Sequence, residues 1–420
     1  MSTPKQADKP FDIPKQAVWE AYRRVKDNAG APGVDGRSVE EFEKDLKNNL
    51  YKVWNRMSSG TYFPPPVRAV SIPKGTGGLR VLGVPTVADR IAQTVVARYL
   101  EPHVEGIFHV DSEGYRVGRS PLDAVAKCRE RCWKADWVVD LDIRSFFDSC
   151  RHDLIVKAVE ANTDQPWVVL YVKRWLKAPV QHADGTLEQR HRGTPQGSAV
   201  SPVLANLFLH YAFDTWMART FPTIQFERYV DDVVVHCVTE RQALMLRNAI
   251  GRRLAKVGLE LHPEKTRIVY CQDSNRRGSY QHTSFTFLAY TFRPRDTKNK
   301  QGIRFTGFLP AMSRDKLAEK GREIRRWRIH RRTGHTLDGL AYTINPIVRG
   351  WMNYWGRFGR VQMHGLLMRI NTYLMRWAGE KYKRLRSFKR RKAWWDRVTR
   401  NAPNLFAHWQ WTTGFLPTGW

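Results

Sequence analysis

Cysteine is scarce: five residues in 420, at Cys128, Cys132, Cys150, Cys237 and Cys271. An odd, scattered set argues against a disulfide framework and for a reducing compartment. Cys128 and Cys132 lie four apart in a stretch of helical pattern, with Cys150 and His152 further on. No second close pair follows, so a helix face outweighs a zinc site. No apolar run reaches membrane-spanning length. The opening residues, MSTPKQADKPFD, lack the apolar region of a signal peptide. Together these absences predict a cytoplasmic chain with no membrane partner. Internal repeats and long low-complexity segments are missing too.

Acidic residues are also in short supply. Against 70 Lys+Arg there are 40 Asp+Glu, a net charge of +30 and a pI near 10.2. Such a surplus favours a polyanion, because cations that neutralise phosphates release condensed counterions. A ribosome-like structural protein would share this balance. A membrane-surface protein would need an isolated basic amphipathic segment, and none stands out. At 42% apolar residues the chain has enough for a sizeable core, and its length predicts two or three folded units.

Helical spacing places Val18, Tyr22 and Val25 on one face of a helix over residues 14–28. GAPGVDG (30–36) reads as a loop, and VEEFEKDLKNNLYKVW as a second helix that ends before Pro64–Pro66. VRAVSIPK and LRVLGVP read as two strands around a turn at Gly75–Gly78. Further helices are expected over 87–100 and 121–132. Trp137–Ile143 reads as a buried strand and Phe226–Cys237 as a hairpin. After Arg295 the chain turns basic and tryptophan-rich, with helical patterns over 314–332 and 337–357. Lys381–Arg400 holds ten basic residues and one acidic residue.

Asp142 ends the apolar strand, and Asp231 and Asp232 sit at the tip of the apolar hairpin. Carboxylates at the edge of a core are costly unless their charge is compensated, and a hard cation with oxygen ligands does this. Three carboxylates from two segments could gather two Mg²⁺ ions for phosphoryl transfer. The competing reading is a plain turn, since Asp is a common turn residue. Asp140 shares the strand face of Asp142, and spacing does not choose between them.

Eight segments, in order, resemble the motifs of bacterial group II intron-encoded reverse transcriptases. They are SIPKGTGGLRVLGVPTVADRIAQ, SEGYRVGRSPLDAV, VVDLDIRSFFDS, RGTPQGSAVSPVLANLFLH, RYVDD, GLELHPEKTRIV, FTFLAYTFRPR and INPIVRGWMNYWGRFG. The resemblance covers most of the chain. It implies an α+β right-hand polymerase with fingers, a palm (a small antiparallel sheet backed by helices) and a helical thumb. Fingers and palm would span 1–295 with an N-terminal extension over 1–60. A thumb or maturase domain would occupy 300–380, and a basic nucleic-acid-binding tail 381–420.

The implied activity is RNA-directed DNA polymerisation, together with help to intron splicing and mobility. Asp142, Asp231 and Asp232 would be catalytic, and Asp142, Ile143, Asp231 and Asp232 would hold two Mg²⁺ ions, with Mn²⁺ a possible substitute. Lys74, Arg80, Phe147, Gln196 and Lys265 would meet the nucleotide. Phe147 takes the place of the side chain that blocks a 2′-hydroxyl, and Gly197 would let the backbone approach the nucleotide. Arg349, Trp351, Tyr354 and Arg357 would meet template and primer, with packing as the alternative for the aromatics. The loop NAGAPGVDG would cover the template.

The implied partners are an RNA template, a DNA primer, the RNA–DNA duplex, group II intron RNA and target DNA. Three residues depart from the pattern: Val230 for alanine, Ala289 for glycine and Val117 for proline. No cysteine follows Cys271, so a C-terminal endonuclease of the cysteine-paired type is not expected. Two alternatives remain: a free-standing relative acting in DNA repair or defence, and a non-catalytic RNA-binding splicing factor. Phe147 opposes an RNA-only polymerase.

Overall fold

The structure, a computed structural model, describes residues 9–73, 78–299 and 301–416. The chain forms two compact units. One contains the chain up to Ala124 together with Val139–Ile268; the other contains Val125–Val138 and the chain from Val269 onward.

The chain begins with α1 (Lys15–Asp27), whose Val18, Ala21, Tyr22 and Val25 are buried at helical spacing. The single helix expected next is two: α2 (Val39–Glu43) and α3 (Leu46–Ser58). Ser38 and Glu41 form a reciprocal cap at the start of α2. Asp45 then leaves the helical region at φ −132°, and Asn49 donates to the freed carbonyl of Phe42 at 2.9 Å. Strands β1 (Val67–Pro73) and β2 (Leu79–Val84) pair antiparallel, with Ile72 opposite Arg80. Most of the turn between them falls outside the described residues. Helix α4 (Val87–Glu105) follows, capped by Thr86.

Helix α5 (Pro121–Cys132) and β3 (Trp137–Asp142) match their expected spans. All five cysteines are buried. Next come α6 (Phe146–Ser149), α7 (His152–Glu160) and α8 (Pro166–Lys177), and the short strands β4 (Val180–Gln181) and β5 (Leu187–Glu188). Helix α9 (Ser201–Leu209) runs through one π-helical turn, His210–Asp214, into α10 (Thr215–Thr220). The hairpin is β6 (Phe226–Tyr229) and β7 (Asp232–Cys237), followed by α11 (Glu240–Lys256) and β8 (Arg267–Tyr270). Two four-stranded sheets result, ordered β2-β1-β4-β5 and β6-β7-β3-β8.

In the second unit, β9 (Phe285–Phe287), β10 (Tyr290–Lys298) and β11 (Arg304–Met312) form an antiparallel sheet. This sheet runs straight through the boundary expected near residue 300; the units divide instead at Ile268–Val269. Helix α12 (Arg314–Arg326) is shorter than its pattern, because Arg328 at φ 48° breaks it before a 3₁₀ turn at Ile329–Arg331. Helix α13 (Leu337–Lys381) is longer than expected and is interrupted at Gly359, where a Cβ would come within 2.7 Å of Ala311.

Residues 381–416 are not a separate tail. Beyond α14 (Phe388–Asn401), Phe406, Ala407, His408 and Trp409 are buried. Asn345 donates to Leu405 and accepts from Ala407, and Asn371 donates to Thr412 and Gly414. The apolar content of this stretch and these amides fold it back onto α13. Among the described residues, no helix is long and apolar enough to cross a membrane.

Candidate active site

The site lies wholly in the first unit. Strand β3 carries Val138, Val139 and Leu141 into the core, which fixes the position of Asp142 at its end. The loop before β8 is laced to this end. His262 N–H donates to the Asp142 carbonyl at 2.8 Å and Arg144 N–H to the Glu260 carbonyl at 2.9 Å. Ile143 forms a bridge with Leu261.

The hairpin presents the second carboxylate. Tyr229 pairs with Asp232, which leaves Val230 and Asp231 as a two-residue turn. Val230 sits at φ 60° and is 4% exposed, a left-handed conformation that β-branched side chains disfavour.

Asp142, Ile143 and Asp231 line one cavity of about 1010 Å³. Burial pushes the Asp231 carboxyl above its usual range. The charge of Asp142 adds to this, and Arg80 and Arg228 oppose it. Asp232 starts β7 next to Asp231 in the chain but is not among the residues that line the cavity. Asp140 is not among the residues that line the cavity. Burial first, and then the charge of Asp142, raises its carboxyl to about 7. Oxygen donors that disfavour each other's charge in a partly dehydrated cavity fit a hard divalent cation.

Arg80, Arg190, Arg192 and Lys265 line the same cavity. Lys265 Nζ lies 3.4 Å from Asp142 Oδ2, and Arg80 Nε donates to Gln196 Oε1. Lys74 lies outside the described residues. Phe147 is on the cavity wall and 8% exposed, packed edge-on against Phe146. Gly193, at φ 78°, allows this approach: a Cβ there would lie 2.6 Å from the Phe147 carbonyl. At Gly197, φ 111°, the missing Cβ makes room for the Gly83 carbonyl, 2.7 Å from where the Cβ would be.

Arg190 and Arg192 were missed in the sequence. Their only signal was a short basic run, RHR, before the PQG segment. Arg228 was missed as well; nothing in its neighbours marks it as buried.

The other expected contacts sit on α13 in the second unit. Arg349 and Arg357 are exposed. Trp351 is not free to stack on a base: it is 6% exposed and lies against Trp327, with ring centroids 5.5 Å apart. The Tyr354 hydroxyl donates to the Leu288 carbonyl at 2.9 Å. Trp351 is a packing residue here, and Tyr354 is half-buried. Val117 is exposed, and Ala289 lies in a turn at φ 65°.

Residues 72–292 match the family described as reverse transcriptase (RNA-dependent DNA polymerase). Residues 319–395 match the group II intron, maturase-specific domain. The chain is 30% identical to protein YkfC of Escherichia coli over 269 residues, 61% of this chain and 66% of that protein. It is 30% identical over 261 residues to the group II intron-encoded protein LtrA of Lactococcus lactis subsp. cremoris, covering 60% of this chain and 42% of LtrA. It is 29% identical over 197 residues to a putative COX1/OXI3 intron 1 protein of Saccharomyces cerevisiae, covering 47% and 23%. The chain thus spans just under two thirds of one of these relatives and less than half of the other two. With the first family match alone covering more than half of its 420 residues, the chain belongs to the reverse transcriptase family and carries a group II intron maturase-specific domain after it.

Proposed function

We propose that the chain is an RNA-directed DNA polymerase that extends a primer 3′-hydroxyl with deoxynucleotides on an RNA template. The observation that carries this reading is the single cavity in which Asp142 and Asp231 face Arg80, Gln196, Phe147 and Lys265. Asp142, Asp231 and Asp232, with Ile143 beside them, would hold two Mg²⁺ ions, or Mn²⁺ in their place. When bound, these would lower the pKa of the primer hydroxyl and offset phosphate charge.

The chain's own residues supply the rest. Arg80, Arg190 and Lys265 place positive charge where a triphosphate would enter, and charge-assisted hydrogen bonds there hold it in line. Gln196 is oriented by Arg80. The Phe147 ring, fixed by Phe146 and by the close approach of Gly193, fills the space a ribose 2′-hydroxyl would need. Lys265 would give a proton to departing pyrophosphate. In a right-hand arrangement the first unit would supply fingers and palm, and the second the thumb. Exposed Arg349 and Arg357 would meet phosphates there.

We also propose that the chain acts as a maturase on group II intron RNA, which the domain over residues 319–395 favours. Purified protein, an RNA template with an annealed DNA primer, Mg²⁺ and deoxynucleotides test the polymerase reading. Wild type should extend the primer and Asp231→Ala should not, with activity falling as salt rises. Tight RNA binding by wild type without extension would leave a splicing factor as the better account.

A further inference from the structure

Arg228 is fully buried, and all five of its N–H donors are used. Its Nε and Nη2 donate to the two oxygens of Asp214 at 2.7 and 2.6 Å. Its Nη2 also reaches Ser112 Oγ at 2.7 Å. Its Nη1 reaches Asn206 Oδ1 and the Val230 carbonyl, both at 3.1 Å. Asp214 is equally buried and ends the π-helical turn after α9.

The last of those contacts is the informative one. Val230 is the left-handed residue immediately before Asp231, and Arg228 holds its carbonyl. The other side of the turn is closed as well. Gly114 lies so near that a Cβ there would come within 2.7 Å of the Val230 nitrogen, and Asn206 fixes Gly114 through its carbonyl at 2.5 Å. The Arg228 backbone itself is tied to Asp111 and Glu113. A buried ion pair is a weak source of stability, but a guanidinium with all five donors engaged admits few other geometries. Here it contacts the carbonyl of a valine whose backbone lies where β-branched residues are disfavoured.

We propose that Arg228 is a positioning residue that, with Asp214 and Asn206, holds the Val230 turn left-handed and so aims the Asp231 carboxylate into the cavity. This rests on the polymerase reading above. Its consequence is specific: the need for Arg228 should depend on what occupies position 230. Glycine takes positive φ freely, so a Val230→Gly turn needs less holding.

The test is a double-mutant cycle with Arg228→Lys, which keeps the charge facing Asp214 but loses the fork, and Val230→Gly. Single-nucleotide incorporation and primer–template affinity are measured for all four proteins. Arg228→Lys should lower kcat about a hundredfold, the scale expected for a misplacement near 1 Å, with duplex affinity unchanged. In the Val230→Gly background the same substitution should cost several-fold less.

An equal loss in both backgrounds, or a loss confined to duplex affinity or melting temperature, would overturn the proposal. If Arg228→Lys does not fold, Ser112→Ala replaces it, removing one of the five bonds. The same pattern is then expected at smaller amplitude, and an unchanged kcat overturns the proposal. If wild type incorporates nothing, the polymerase reading has failed, and Mn²⁺ alone becomes the probe. Its rise in melting temperature should vanish in Asp231→Asn, weaken in Arg228→Lys and recover in the double variant. Equal rises in all four proteins would overturn the positioning role by itself.

Discussion

Two tight hairpins, one in each unit, place apolar residues where glycine would be easier. In the first, Val230 sits at φ 60°; in the second, Leu288 and Ala289 sit at 50° and 65°. Both turns are held by hydrogen-bond donors aimed at turn carbonyls, but the donors differ. The first uses a buried, charged guanidinium whose partner Asp214 is also buried. The second uses neutral groups: the Tyr354 hydroxyl on Leu288 at 2.9 Å and the Ser313 N–H on Ala289 at 3.0 Å. A turn that only has to join strands is held by ordinary hydrogen bonds. The turn that presents a carboxylate is held by a device that tolerates little displacement.

Breaking the charged device should give the largest effect. Arg228→Met strands Asp214 in the core and should cost about 3–5 kcal/mol, read as a fall in the denaturant midpoint. The buried polar centre of the second unit is neutral, and acid is the way to break it. His408 donates to Asn371 at 2.7 Å, and burial lowers its pKa from 6.5 to about 3. The folded state therefore binds fewer protons than the unfolded one. The stability contributed by this neutral imidazole is complete above about pH 6.5 and falls toward pH 3, by about 1.4 kcal/mol per pH unit. The buried carboxyls of Asp140 and Asp89 titrate with the opposite sign, so the difference between wild type and His408→Gln in denaturant melts at pH 7.5 and pH 5 should show this slope.

Smaller effects sharpen the contrast between the turns. Tyr354→Phe removes one neutral hydrogen bond and should cost about 1 kcal/mol, with little change in nucleotide incorporation. Glycine substitutions should differ in sign. Relief of left-handed strain is worth about 1–2 kcal/mol, and the added freedom of unfolded glycine takes back about 0.5–1. Half-buried Ala289→Gly should therefore gain slightly. Val230→Gly also loses a buried side chain worth about 1.5–3 kcal/mol, so it should melt lower.

The strand and the hairpin that carry the first unit's carboxylates were legible in the sequence as local patterns, whereas the choice of Asp142 over Asp140 and the residues expected around them came from the family resemblance. An apolar run ending in Asp142, and a hairpin tip between two apolar strands, are signals of period two that need no distant partner. Features decided at long range were not legible. The break at Asp45 depends on Asn49 reaching back to Phe42 within a continuous helical pattern. The strand run over 285–312 hides a sheet behind a change in composition. Trp351 suited a core first and a base second in its helical spacing, and Trp327, distant in sequence, lies against it. Arg228 has the sequence neighbours of a surface cation, and only Asp214, fourteen positions away, makes it a buried one. The clasp of 405–416 onto α13 depends on Asn345 and Asn371, whose roles no local pattern announces.

Asp140 and Asp142 share a strand face, yet only Asp142 is on the cavity wall. Single-turnover incorporation of one deoxynucleotide should be measured for Asp140→Asn and Asp142→Asn side by side. The account predicts that Asp142→Asn loses incorporation while Asp140→Asn keeps it. Loss in Asp140→Asn with activity retained in Asp142→Asn would contradict the assignment of this cavity as the polymerase site.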